Sequence, residues 1–273
     1  MNKRKARLAI LDMNNKVANQ GLRGIKEIAQ GFDDQVDWKV YDVRGENEIP
    51  DLTYDIYICS GGPGNPLESG EWKESFFSLI DTAWKQNQRS DRKKYFFFIC
   101  HSFQMACEHF ELGEITRRRK TSFGVYPIHK TKAGEKDTIL NDLDNPFYAV
   151  DSRDWQLTQP NLEVFKEHGA EILSLEKIRT HVELERAIMA VRFSREFVGT
   201  QFHPEADPIG MREHFHSQEV KDTVIENFDE QKYIDMMEHL EDPDKIQLTH
   251  SVILPHFISD ALQNIENQRL VLN

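Results

Sequence analysis

The side chains best suited to covalent chemistry in this chain are Cys100, His203 and Glu205. A thiol, an imidazole and a carboxylate form the set that nucleophilic acyl transfer requires: the sulfur attacks, the imidazole moves protons and the carboxylate orients the imidazole. His203 and Glu205 stand two apart with Pro204 between them. A residue before proline is held extended, and in an extended segment positions i and i+2 point the same way, so Glu205 can polarise the His203 ring. Each residue is weak alone. A free cysteine is usually a buried small hydrophobe, and a His-Pro-Glu tripeptide often carries no function. What matters is where the flanking elements put them.

Lys94 to Ile99 is an unbroken apolar and aromatic run after its first residue, which reads as an interior strand of a parallel sheet covered on both faces. After Cys100 the period changes: Phe103, Ala106, Cys107 and Phe110 form one apolar helical stripe, with Gly113 as the expected C-terminal cap. Cys100 therefore sits where a strand turns into a helix. That geometry exposes a thiol at the carboxyl edge of a sheet, aims the helix N-terminus at it in favour of the thiolate, and supplies N–H groups for an oxyanion. It is the layout of a nucleophile elbow.

The first part of the chain alternates strand and helix. Arg7 to Asp12 reads as a strand, Leu22, Ile25 and Ala29 as a helix stopped by Gly31, Val36 to Val43 as a strand nearer an edge, and Tyr54 to Cys59 as a third strand running into Ser60-Gly61-Gly62-Pro63-Gly64. Helical spacing over Glu74 to Trp84 precedes the elbow strand. This order predicts an α/β fold, a doubly wound, mostly parallel open sheet with helices on both faces. Further on, Arg117-Arg118-Arg119-Lys120 reads as a solvated loop that guards an edge strand entered through Thr121 to Ile128, and Asp151 to Trp155 reads as a loop. Ala187 to Phe193 and Phe197 to Phe202 read as a hairpin-like pair that delivers His203. From Asp207 the pattern is helical, with Pro255 starting or kinking the last segment. We expect one domain over 1–206 and a helical C-terminal extension over 207–273, packed on the sheet or on a second protomer.

A formal charge of −12 offers no basic field for nucleic acid or an anionic membrane surface, and no apolar stretch has the length needed to cross a bilayer. The expected ligand is a small molecule. Cys59, Cys100 and Cys107 are an odd count without framework spacing, so reduced thiols and a cytoplasmic location are expected.

Three ordered motifs, Ser60-Gly61-Gly62-Pro63-Gly64, the Cys100 elbow with Gln104 four residues on, and Gly199-Thr200-Gln201-Phe202-His203-Pro204-Glu205, resemble those of the class I glutamine amidotransferase family. The similarity spans roughly Arg7 to Glu205 and includes stand-alone glutaminase-type domains like that of GMP synthase. The resemblance implies a flavodoxin-like sheet and hydrolysis of the γ-carboxamide of glutamine through a γ-glutamyl thioester. Cys100 would be the nucleophile, His203 the base and acid, and Glu205 its orienting carboxylate. The backbone N–H groups of Gly62 and His101 would form the oxyanion hole, and Gly61, Gln104, Phe123 and Gly124 would bind substrate. Ammonia would pass to a separate synthetase subunit, because no phosphate-binding loop for nucleotide activation occurs in the chain. No cofactor or metal is implied.

The chain departs from the family pattern in two places. Phe98 and Ser102 stand where glycines flank the cysteine, so Phe98 needs room for its side chain and Ser102 is expected to narrow the space beside the nucleophile. The loop at Asp151 to Trp155 lacks the histidine the family often carries. A stand-alone γ-glutamyl hydrolase and a non-catalytic binding protein with a closed elbow therefore stay open as alternatives, as does a homodimer. His101 is expected to be a surface or packing histidine, since neighbours at an elbow diverge. His214 and His216 are expected at a solvated surface, without the carboxylate or cysteine cluster a metal site would need.

Overall fold

The structure is a computed structural model describing residues 4–178, 185–227, 229–242 and 244–271. One nine-stranded sheet runs in the order β2-β1-β3-β4-β9-β8-β6-β5-β7. Its first five strands are parallel: β2 (Val36–Asp42), β1 (Ala6–Asp12), β3 (Ile56–Cys59), β4 (Tyr95–Ile99) and β9 (Phe197–Thr200). The helices between them, α1 (Gln20–Gln30), α3 (Glu71–Arg89) and α4 (His101–His109), give the alternation expected of a doubly wound fold. The short α2 (Val43–Glu46) lies between β2 and β3.

The side chains of β4 show why this strand is central. Tyr95, Phe97 and Ile99 enter one apolar core, and Phe96 and Phe98 enter the core on the other face. A strand buried on both faces has no polar side, and the unbroken apolar run states that directly. The same two-faced burial covers β1 and β3.

The other four strands, β5 (Glu114–Lys130), β6 (Phe147–Thr158), β7 (Glu171–Leu175) and β8 (Ile188–Arg192), are antiparallel to their neighbours, and β7 returns to pair with β8. Here the sequence reading needs correction. The tetrabasic cluster is no loop but part of the 17-residue β5, where the β5–β6 register shifts between Arg117 and Ser122. Arg117, Arg119 and Lys120 point outward, but Arg118 turns inward and bonds Gln156 and Glu176. Asp151 to Trp155 is likewise strand, its alternation masked by the inward charges of Asp151 and Arg153, which pair with each other. The expected Gly113 cap is displaced too: α4 ends at His109, and Glu111 takes the left-handed conformation.

After β9 come α6 (Pro208–His216), α7 (Gln218–Asn227), α8 (Glu230–Glu241) and α9 (Ile246–Val271), with α5 (Leu162–His168) earlier between β6 and β7. Val252, Ile253, Phe257, Ile258, Ala261 and Ile265 of α9 join the core cluster that contains β1 and β4. The tail thus packs on its own sheet, and Pro255 lies inside α9. The side chain of His214 is outside the described residues. No described helix is long and apolar enough to cross a membrane.

Candidate active site

Cys100 has φ 50 and ψ −99. For a residue with a Cβ this is sparsely populated backbone, of the kind that persists only where the surroundings over-determine it. Three contacts do so. The Cys100 N–H donates to Thr200 O at 2.8 Å, Gln104 N–H donates back to Cys100 O at 2.9 Å, and the Ile99 N–H donates to Ser102 Oγ at 2.8 Å. The strained turn lifts the thiol out of the sheet at the N-terminus of α4.

Both departures from glycine are absorbed. Phe98 points away from the elbow into an aromatic cluster, its ring 5.6 Å from that of Phe193 and 6.0 Å from that of Phe197. Its register partner on β9 is Gly199, where an added Cβ would stand 2.9 Å from Phe103 and 3.0 Å from the Phe98 Cβ. The glycine missing beside the cysteine is supplied across the ladder. Ser102 does not narrow the site: its hydroxyl donates to Cys59 O at 2.9 Å and to Ile99 O at 3.0 Å, which ties the ends of β3 and β4 together. Neither residue lines the cavity.

β9 leads into His203, whose N–H donates to Val150 O at 2.9 Å on β6. Nδ1 of His203 lies 2.8 Å from Glu205 Oε1, so the ring turns its other nitrogen away from the carboxylate. Burial opposes charge on this ring and is the largest single influence, yet the charges of Glu205 and Cys100 and hydrogen bonds to both together hold His203 well above the usual histidine range. Glu205 is buried against α1, where Gly21 and Gly24 share a helical face: a Cβ on Gly21 would meet Glu205 Oε1 at 2.6 Å, and one on Gly24 would overlap the Glu205 carbonyl oxygen. Sequence reasoning missed this pair; the i, i+3 glycine spacing was the available signal.

The glycine loop completes one wall. Gly61 packs beside His203 and Cys100, and Gly62 passes so close to Met13 that a side chain there would overlap the Met13 carbonyl. Arg44 of α2, also missed, pins this loop by bonding Pro63 O and Glu68. His101 opens α4, so its N–H belongs to the first turn, whose donors have no acceptor within the helix. Its ring is buried and pushed down to about 3, chiefly by burial and further by Arg44 and Lys73. It is a neutral packing residue and not a surface one.

These residues surround a cavity of about 640 Å³ whose walls include Gly62, Cys100, His101, Gln104, Phe123 and His203. Gln104 is bound within the protein through both amide hydrogens, to Trp155 O and to Gln201 Oε1, each at 3.0 Å. Gly124 lies outside the lining; its φ of +137 is one that glycine tolerates, and it faces Lys232 and Met236 of α8. Among the described residues no group of three or more His, Cys, Asp or Glu side chains could hold a metal ion.

The fold is shared with a glutamine amidotransferase from Thermotoga maritima, 14% identical, covering 95% of this chain and 99% of that one at a TM-score of 0.71. A glutamine amidotransferase from Methylobacillus flagellatus is 13% identical over 97% and 95% of the two chains, with a TM-score of 0.66. A putative GMP synthase glutaminase-type chain from Thermoplasma acidophilum is 15% identical over 88% and 100%, with a TM-score of 0.52. No curated protein matches the sequence. The model of class-I glutamine amidotransferases matches residues 15–223, so this chain belongs to the class-I glutamine amidotransferase family, whose domains serve glutamine-amide hydrolysis.

Proposed function

We propose that the chain is a cysteine hydrolase that cleaves the γ-carboxamide of glutamine through a γ-glutamyl thioester. The observation that carries this reading is the Cys100 sulfur on a strained strand-to-helix turn, facing a cavity it shares with a His203 that is locked to Glu205 at 2.8 Å. The imidazolium that His203 favours is the form that pairs with a thiolate. Sulfur attacks the amide carbon, the oxyanion forms toward the N–H groups of Gly62 and His101, and His203 delivers its proton to the departing nitrogen, releasing ammonia. His203 then takes a proton from water as it opens the thioester. Glu205 holds the ring throughout. Ammonia goes to a separate synthetase chain.

A second reading stays within the same chemistry. A cavity of about 640 Å³ lies in the range that encloses drug-sized ligands, larger than glutamine requires, and this favours γ-glutamyl amides that carry a bulkier amine. Substrate would contact Phe123 and the carbonyl side of Gln104. The 1–206 unit would carry the chemistry, and the 207–273 helices would shape its rim.

The test is mass spectrometry after exposure to a glutamine-like chloroketone, run beside an ammonia-release assay on glutamine and the Cys100→Ala variant. Labelling at Cys100 with ammonia release supports the glutaminase reading. Labelling without release, but with cleavage of larger γ-glutamyl amides, supports the second. An unlabelled Cys100 sinks both.

A further inference from the structure

Gln201 is fully buried, and its Nε2 lies 3.5 Å from Cys100 Sγ. The way its amide points is dictated by a chain of partners. Trp155 O is a backbone carbonyl and can only accept, so the Gln104 group beside it must be the amide nitrogen. That same nitrogen donates its other hydrogen to Gln201 Oε1 at 3.0 Å. A flipped Gln201 would set donor against donor, so its oxygen must face Gln104 and its N–H must face the sulfur.

Cys100 Sγ therefore has fixed polar neighbours: the Gln201 N–H on one side and Ser152 O, an acceptor for the S–H, at 3.7 Å on the other. The titratable group beside it is His203, with Glu205 behind. His101 is buried and neutral, and Arg23 with Asp207 and Arg153 with Asp151, which contribute to the same cavity walls, are paired with each other.

We propose that Gln201 is a catalytic hydrogen-bond donor to the Cys100 sulfur, and that Gln104 is the positioning residue that prevents its amide from turning. A thiolate accepts such a bond more strongly than a thiol does, so the donor favours the sulfur both before attack and when the C–S bond of the thioester breaks and the electron pair returns to it. Gln104 then works behind the nucleophile, in place of the substrate-holding role its spacing suggests. The inference rests on Cys100 being the nucleophile.

The test follows alkylation of Cys100 by iodoacetamide against pH, read by mass spectrometry at each cysteine, with a thermal melt to confirm folding. Gln201→Met removes the donor at similar size, and the pH midpoint of alkylation is expected to rise by about one unit, a roughly tenfold slower reaction below the midpoint. Gln201→Glu still accepts from Gln104 but presents a charge to the sulfur, and should raise it further. Gln104→Leu should move it the same way by less, and should add nothing to Gln201→Met, because the two act through one bond. A wild-type Cys100 that alkylates no faster than free cysteine overturns the nucleophile assignment itself. A reactive wild type whose midpoint is unmoved in whichever of these variants folds overturns the Gln201 assignment alone.

Discussion

The two halves of the site are held in different ways. Cys100 is fixed by its own neighbourhood: β4 enters, α4 leaves, Ser102 and Gln104 tie the turn from within the first helical turn, and Thr200 adds one bond from the adjacent strand. The His203–Glu205 turn is fixed from far along the chain. Val150 of β6 accepts the His203 N–H, the Gly21–Gly24 face of α1 closes on Glu205, and His250 of α9 lies 3.2 Å from the Glu205 carbonyl oxygen. Glu205 Oε2 is buried without a hydrogen-bond partner, and the first turn of α1 beside it is a place that favours negative charge. A locally held nucleophile can absorb substitutions such as Phe98 and Ser102 with one compensating contact each. A remotely held base cannot, since its position sums the placement of three elements.

Four experiments press on that difference. Cys100→Ala should lower ammonia release by about 10⁴-fold or more with little change in melting temperature, since loss of the nucleophile removes the chemistry and leaves the scaffold. A retained rate would mean that the elbow is not the reacting half. Phe98→Ala should cost roughly 3–5 kcal/mol in chemical denaturation, because Gly199 leaves the facing position with nothing to collapse into the void; a smaller loss would show that the two residues do not compensate. Gly24→Ala should cost roughly 1–3 kcal/mol by overpacking and, unlike a substitution on the outer face of α1, should also depress ammonia release by displacing Glu205. Stability lost with activity kept would break the claim that α1 positions the base.

The smallest effect is one of pH. Because the folded value of His203 lies above its ordinary one, the stability it contributes is complete below about pH 6.5 and is lost as pH rises through the folded value, by at most about 1.4 kcal/mol per pH unit. Thermal melts across alkaline pH should show this decline, and Glu205→Gln should flatten it. A wild type equally stable through that range would mean that the pair is not charged.

The same contrast explains what the sequence made legible. The elbow, the glycine loop and the His-Pro-Glu turn are each written in a few adjacent residues, so periodicity and spacing located them. The parallel half was legible for a related reason: strands covered on both faces are apolar throughout, as Tyr95 to Ile99 are. The antiparallel half was not. β6 carries Asp151 and Arg153 inward, neutralised by each other and by Ser122 and Glu176. Charges at inward positions look like loop until their partners are known. Arg118 misled in the same way, because one inward cation among three outward ones has no local mark. The α1 glycines and Arg44 were hidden because their reasons lie at Glu205 and Pro63, elsewhere in the chain.

β6 touches every moving part of the candidate chemistry from one face: Val150 O takes the His203 N–H, Ser152 O meets the Cys100 sulfur, and Trp155 O anchors Gln104. A single strand thus acts as a caliper whose jaws are its own carbonyls. Drift of the antiparallel half against the parallel half would carry thiol, imidazole and amide along together, so the mouth of the cavity can be re-cut by new side chains on β5, α6 and α8 while the gap across which protons travel keeps one setting.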